Sequence, residues 1–137
     1  MRNNQQYLHR KSFAGFTLVE VMIVVGIIAL LAAIAIPNLL RAKINANQSS
    51  AQATLKSIAT ALENYATLNS VYPSITTDLL GAAPPYLNVD YFSGVHNGYS
   101  FTTVLADYYY TVTAIPAGVH SGNVTYTITT GGVLQSQ

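Results

Sequence analysis

A long apolar run near the N-terminus constrains this chain more than any other feature. From Phe16 to Ile36 there are 21 residues, of which only Thr17 and Glu20 are polar. A helix rises about 1.5 Å per residue, so this run spans roughly 31 Å, the thickness of the hydrocarbon core of a bilayer. An ionisable residue at that depth indicates a function, and Glu20 is therefore the first candidate functional residue.

The composition and the placement of charge narrow the class of protein. Half of the 137 residues are hydrophobic, only 8% are charged, and there is no cysteine. No lysine or arginine follows Lys56, whereas the segment 69–137 carries three aspartates. These features predict a membrane-linked protein that has no disulfide framework and makes no contact with nucleic acid.

Two interpretations of the N-terminus explain it only in part. A secretory signal would have a small-residue cleavage site, and Ala33-Ile34-Ala35 supplies one. The apolar run, however, exceeds the 7–15 residues usual for such a signal, and a disposable segment does not need Glu20. A plain transmembrane anchor explains the length of the run but neither Glu20 nor the Gly15-Phe16 junction.

The segment 11–20, KSFAGFTLVE, closely resembles the class III leader of type IV prepilins and type II secretion pseudopilins. The resemblance is specific over residues 10–45. It implies that a prepilin peptidase cuts between Gly15 and Phe16 on the cytoplasmic side and that Phe16 becomes N-methylated. The basic pair Arg10-Lys11 lies four residues before the glycine, where many relatives have a basic residue beside it.

Glu20 is predicted to take part in assembly. It lies four residues after Phe16, in the first helical turn, where the helix dipole favours an acid by about 0.3–1 kcal/mol. That gain does not offset burial of a charge, and a stronger partner is the α-amino group of Phe16 in a neighbouring subunit. The resemblance implies the same role for the matching glutamate of the family.

The resemblance also implies where the protein resides and what it meets. The basic leader stays cytoplasmic by the positive-inside rule, which predicts one inner-membrane span with the C-terminus outside. After cleavage the partners are other copies of the chain and the pilus or type II secretion assembly machinery. The assembled product is an extracellular pilus or a periplasm-spanning pseudopilus.

The sequence predicts one long helix in two parts. Residues 16–37 form the transmembrane or filament-core part, in which Pro37 is expected to kink the helix because it removes one hydrogen bond and clashes with the preceding turn. The family also places a kinking proline there. Residues 38–69 form an amphipathic part, because apolar residues recur at steps of three and four. Residues 1–15 are the cleaved leader.

Residues 70–137 predict loops followed by an antiparallel β-meander. A helical turn is expected at 77–80, capped by Thr76 or Thr77. Strands are expected at 99–105, 108–115, 124–129 and 133–135, with a tight turn at Gly131-Gly132. Alternation predicts that one sheet face packs on the helix. The predicted fold class is α+β, a pilin-like lollipop in which a long N-terminal helix packs through its C-terminal half on a small antiparallel sheet. The sheet residues expected to face the helix are Val124, Tyr126 and Ile128.

Catalytic and metal sites are not expected. His9, His96 and His120 have no ligand spacing, and the three aspartates after residue 69 are too dispersed for the calcium loop of some major pseudopilins. No phosphate loop, nucleophile elbow or paired carboxylates are present in the sequence, so no cofactor and no enzyme activity are predicted. Tyr108-Tyr109-Tyr110 is read as strand residues that face core and solvent in turn, without a role in electron conduction or adhesion.

Three functions are compatible with the sequence. The first is a structural subunit of a type IV pilus, and the second is a pseudopilin that acts as a piston or scaffold in type II secretion. The third is a single-pass membrane protein with an extracellular binding domain. The state of the mature N-terminus separates the third from the other two.

Overall fold

A computed structural model describes residues 15–137, so the leader residues 1–14, including His9, Arg10 and Lys11, lie outside the described part. Two helices precede four strands. In chain order the elements are α1 (Leu18–Asn69), α2 (Thr77–Gly81), β1 (Tyr99–Ala106), β2 (Tyr109–Pro116), β3 (Tyr126–Thr129) and β4 (Val133–Ser136). The predicted fold class is confirmed: a long apolar N-terminal helix and a four-stranded antiparallel sheet.

The chain divides into two units after Pro37. The described part of the first unit, residues 15–37, contains the start of α1. The second unit, residues 38–137, contains the rest of α1, α2 and the sheet. Helical structure is continuous through Pro37, and the expected kink at that residue stays a prediction.

The end of α1 has a local cause. Ser70 has a φ of +63°, a left-handed conformation that a helix cannot continue through. The Ser70 N–H still donates to the Ala66 carbonyl at 2.8 Å, and the Asn69 side-chain amide donates to the Tyr65 carbonyl at 2.9 Å. These bonds satisfy two of the last carbonyls of the helix, which ends at Asn69.

The core of the second unit lies between one face of α1 and one face of the sheet. Leu55, Ile58 and Leu62 recur at three- and four-residue steps and are fully buried. From the sheet, alternate residues of β2 are buried against them, while the residues between are half-buried or exposed. The buried apolar residues are Ala51, Leu55, Ile58, Ala59, Ala61, Leu62, Tyr72, Leu79, Leu87, Tyr99, Phe101, Tyr110, Val112, Ala114, Tyr126 and Ile128.

The sheet is a simple meander in the order β1-β2-β3-β4, with every neighbouring pair antiparallel. Tyr126 and Ile128 are buried as predicted, and Val124 packs on the core while partly exposed. The turn between β3 and β4 uses Gly131 and Gly132, whose φ values of +80° and +74° favour glycine.

Local predictions differ from the structure at β2, β3 and α2. β2 begins at Tyr109 instead of residue 108, because Tyr108 lies in the turn after β1. β3 begins at Tyr126 instead of residue 124. Thr125 still exchanges two backbone bonds with Gln137, whereas the Val124 carbonyl accepts the Tyr99 hydroxyl at 2.9 Å. The predicted side-chain cap of α2 is wrong. Thr76 occupies the N-cap position but has helical backbone angles, φ −67° and ψ −26°, and makes no side-chain cap bond.

Candidate functional site

The predicted processing site lies at the start of the described chain. Gly15 and Phe16 precede α1, and the Phe16 side chain is 90% exposed. Apart from Gly15 and its two chain neighbours, no described residue has a heavy atom within 4 Å of the position that a Cβ on Gly15 would take. The packing of the described residues therefore does not require a glycine at this position. A requirement for glycine here would come from another molecule that recognises the junction.

Thr17 and Glu20 form a reciprocal pair at the first turn of α1. The Thr17 backbone N–H and hydroxyl both donate to Oε2 of Glu20 at 2.8 Å, and the Glu20 N–H lies 3.2 Å from the Thr17 hydroxyl oxygen, which accepts it. This is a capping box, in which the N-cap threonine and the acid three residues later satisfy two otherwise unpaired N–H groups. The sequence contains the signal for this capping box, Thr-x-x-Glu ahead of an apolar run, which is a second interpretation of Glu20 beside that of a charge at membrane depth.

The capping box leaves part of the Glu20 carboxylate available. All bonds that it accepts within residues 15–137 go to Oε2, and the side chain is exposed. Oε1 can therefore take a further donor without disturbing the helix start. Phe16, whose backbone nitrogen is the predicted new terminus, lies one residue before Thr17.

The apolar surface that follows the capping box is uncovered. Within residues 15–137, α1 is the one helix that is long and apolar enough to cross a membrane by length and composition. Its most apolar 18-residue window has a mean hydropathy of 2.9, and none of that window is buried. Large apolar side chains from Leu18 to Leu39 are between half and three-quarters exposed. Exposed apolar surface on this scale marks a site of contact with membrane or protein.

The N-terminal part of the chain, which contains the junction and the exposed apolar helix, is similar to known proteins. Residues 10–36 match a family model described as the prokaryotic N-terminal methylation motif. The chain is 43% identical over 70 residues to the type IV major pilin protein PilA of Myxococcus xanthus. It is 48% identical over 64 residues to the type II secretion system core protein G of Vibrio cholerae. Over these stretches the chain is similar to proteins of the type IV pilin and pseudopilin family.

The likeness to these pilin-family relatives covers only part of each protein. The match takes in 51% of this chain and 31% of the Myxococcus pilin, and 47% of this chain and 42% of the Vibrio protein. The type IV wide pilus major component PilA4 of Thermus thermophilus is 47% identical over 60 residues, which is 44% of this chain and 46% of that protein. The chain thus spans less than half the length of these relatives, which include both pilins and secretion proteins. Proteins of this family are structural subunits and not enzymes.

A second polar centre of this chain lies in the second unit, and the sequence pattern did not predict it. Glu63 of α1 accepts three bonds: from the Tyr72 hydroxyl at 3.0 Å, from the Tyr110 hydroxyl at 3.1 Å and from the Gly131 N–H at 2.9 Å. Its donors come from the loop after α1, from β2 and from the β3–β4 turn. Separations of 9, 47 and 68 residues hide such a cluster from any local pattern.

The environment of Glu63 changes the acidity of its tyrosine partners. Burial is the first cause that raises the pKa of Tyr110, and the hydrogen bond to Glu63 raises it further. Burial and the same carboxylate also raise the pKa of Tyr72 above its ordinary value. The two rings meet edge to face with centroids 5.0 Å apart. Both hydroxyls are thus held as neutral donors to the carboxylate.

The stability of the second unit should fall at alkaline pH. A tyrosine whose pKa is higher in the folded state contributes stability that is fully present below its unfolded pKa of about 10 and is lost as the pH rises towards the folded value. We expect a loss of up to about 1.4 kcal/mol per pH unit for each such tyrosine. Urea unfolding of the detergent-solubilised chain between about pH 8 and about pH 12, at steps of about one unit, measures this loss.

The Tyr110→Phe variant is the matched comparison for this loss of stability at alkaline pH, because it keeps the aromatic ring and removes the hydroxyl group that titrates. The free energy of unfolding of this variant should be lower at neutral pH. It should decline less steeply above a pH of about 10, which is the pKa of tyrosine in the unfolded chain. An equal slope in the two proteins would contradict the assignment of the alkaline loss to Tyr110.

The remaining sequence candidates are scattered. Within residues 15–137 no group of three or more histidine, cysteine, aspartate or glutamate side chains is placed to hold a metal ion. His96 has a ring nitrogen 3.1 Å from the Ser93 carbonyl. Of the three consecutive tyrosines, Tyr110 is buried in the core, whereas Tyr108 and Tyr109 are exposed.

Proposed function

We propose that this chain is a structural subunit of a type IV pilus-like filament, assembled after prepilin peptidase cleavage and N-methylation at Phe16. The observation that carries the proposal is the uncovered apolar part of α1 directly after a methylation-motif junction. A surface of this kind needs lipid before assembly and other copies of the chain afterwards. The capping box rigidifies the start of that surface next to the cleavage point.

The proposed order of events follows from the residues. The leader holds the N-terminus in the cytoplasm while α1 spans the inner membrane, with the second unit outside. Cleavage between Gly15 and Phe16 then creates an α-amino group, which is largely protonated near neutral pH because its pKa is about 7.7–8.0. This cation pairs with Oε1 of Glu20 in a neighbouring copy, while Oε2 keeps its bonds to Thr17. The extended product is a pilus on the cell surface.

A pseudopilus of type II secretion is the second candidate function. Relatives that are secretion core proteins favour it as directly as the pilin relatives favour a pilus. The two functions share cleavage, membrane insertion and polymerisation. They differ in the length of the filament and in whether it leaves the cell envelope.

The experiment that tests the proposal is mass spectrometry of the mature N-terminus purified from native membranes or filaments. We expect the first peptide to begin at Phe16 and to carry one N-methyl group. A chain that retains Met1 would contradict processing, and would favour a single-pass membrane protein with an extracellular binding domain. Electron microscopy of cells with and without the gene then separates the two filament types, because long surface fibres that disappear on deletion indicate a pilus.

A further inference from the structure

β4 is an edge strand of the described sheet, and its outer side is open. The strand order of the sheet ends at β4. The backbones of Thr125 and Gln137 exchange two hydrogen bonds, of 3.1 and 2.9 Å, so these residues form a hydrogen-bonded pair. Bonded and non-bonded pairs alternate along an antiparallel ladder, so Gln135 also bonds to β3, whereas the N–H and C=O groups of Leu134 and Ser136 point away from β3. These groups are placed to bond to a further strand.

The sequence of β4 does not protect this edge. Proteins commonly guard an edge strand with a charged residue, a proline or a bulge. β4 reads Val-Leu-Gln-Ser, and its pairing with β3 is one to one, without a bulge. Val133 is 52% exposed, and Gln135 and Ser136 are exposed as well. An edge of this kind accepts an extended peptide, whose main chain supplies affinity through hydrogen bonds.

A groove lies beside the inner face of β4. It has a volume of about 600 Å³, and its wall on α1 includes Lys56 and Thr60. On the sheet side it is bounded by Ile128, the β3 partner of Leu134, and by the Gly131-Gly132 turn that leads into β4. Leu134 itself packs on the core. The side chains of an added strand that face the helix would therefore enter this groove.

The groove has one cationic end, at Lys56. This side chain is exposed, and no lysine or arginine follows it in the sequence. Glu63 lines the other end of the groove, two helical turns further and about 10 Å along the axis, which is roughly one Debye length. Both carboxylate oxygens of Glu63 already accept bonds, from two tyrosine hydroxyls and a backbone N–H. An acidic side chain in the groove is therefore favoured beside Lys56.

We propose that β4 and this groove bind an extended segment of a different protein, which adds a fifth strand to the sheet and pairs an aspartate or glutamate with Lys56. Neighbouring strands lie about 4.8 Å apart, and every second residue of the segment faces the helix. The lysine has a flexible four-carbon stem, so its ammonium can follow the acid. The four strands of the described chain contain no acidic residue, so a strand of a second copy would not complement Lys56. The inference goes beyond the proposed filament function and does not depend on it, because the site lies within one subunit.

Selection from a library of random peptides of about eight residues, a usual strand length, tests the proposal on the full-length chain in detergent. We expect the selected peptides to share one aspartate or glutamate within alternating apolar and polar residues. Lys56→Met should weaken their binding by up to about fivefold, the range of an exposed ion pair. Lys43→Met, a change at another exposed lysine of α1, should leave the binding unaltered. Fluorescence anisotropy of the labelled peptides measures each dissociation constant.

Ser136→Pro separates pairing at the edge from binding elsewhere. It removes an N–H that points away from β3, so the ladder between β3 and β4 is kept, and an edge strand tolerates proline. This variant should bind the selected peptides about tenfold more weakly than Ser136→Ala, which keeps the N–H. Equal binding by the two variants, or a library that yields no peptide sensitive to Lys56→Met, contradicts the proposal. If Ser136→Cys crosslinks two copies through a bifunctional maleimide in the absence of peptide, a second copy occupies the edge and the proposal is wrong.

Discussion

Filaments should no longer form when Glu20 is replaced by alanine, although the full-length chain still enters the membrane in normal amounts. The substitution leaves the α-amino group of a neighbouring Phe16 buried without its counter-charge, which costs about 3–5 kcal/mol at each subunit contact. That corresponds to a loss of at least about a hundredfold in the association constant. Filament mass in sheared fractions, set against subunit level in membranes by immunoblot, measures the effect.

Two further variants separate the charge of Glu20 from its capping bonds. Glu20→Gln keeps an acceptor for the Thr17 N–H at the position where capping boxes also use glutamine, but it has no charge. Thr17→Ala removes the capping hydroxyl and keeps the charge, at a cost of about 1 kcal/mol to the helix start. We expect the glutamine variant to fail and the Thr17 variant to assemble. Normal filaments from Glu20→Gln would show that Glu20 acts as a helix cap and not as half of an intersubunit ion pair.

Replacing Glu63 by alanine should destabilise the second unit by about 3 kcal/mol. The Tyr110 ring is fully buried, so its hydroxyl is left without an acceptor, and the Tyr72 hydroxyl and the Gly131 N–H lose theirs too. Leaving a buried donor unsatisfied costs about 1–3 kcal/mol, and the loss at the other two donors adds to it. Urea unfolding of the detergent-solubilised chain, followed by tyrosine fluorescence, measures the change.

The controls for Glu63 use its neighbour and its isostere. Asn64 is the adjacent exposed residue of α1, and Asn64→Ala should change the free energy of unfolding by less than about 0.5 kcal/mol. Glu63→Gln keeps one carbonyl oxygen for Tyr110 and Gly131 and should lose less than the alanine variant. If Glu63→Ala were as stable as Asn64→Ala, the three bonds to Glu63 would contribute nothing to folding.

The elements of this fold follow closely from sequence pattern because their signals are local. The three- and four-residue spacing of Leu55, Ile58 and Leu62 predicts the face of α1 that the sheet covers. Alternation of apolar residues with threonine predicts β3 and the burial of Tyr126 and Ile128. The strand ends are less accurate, because they depend on tertiary bonds such as that between the Tyr99 hydroxyl and the Val124 carbonyl.

The polar centres were harder to predict for two different physical reasons. The Thr17–Glu20 capping box is local, but an acid inside an apolar run has two compatible interpretations. The capping bonds use Oε2 of Glu20, which leaves Oε1 for the proposed intersubunit pair. The Glu63 cluster depends on loop and strand residues far away in sequence, so no spacing rule finds it. Gly15, Phe16 and Glu20 keep their predicted roles as proposals that the experiments above address, and the kink at Pro37 stays a prediction.

The attachments of the sheet to α1 have a mechanical consequence for a subunit in a fibre. The loop bond from Asn47 to Ser121 and the three bonds to Glu63 lie about 16 residues apart along the same helix, or about 24 Å. A pull along the fibre axis would enter each subunit through its helix. Because hydrogen bonds hold the sheet domain to α1 at Asn47 and again at Glu63, such a force would act on both sets of bonds at the same time. The sheet would therefore be sheared along the helix, and its bonds would not break one after another from one end.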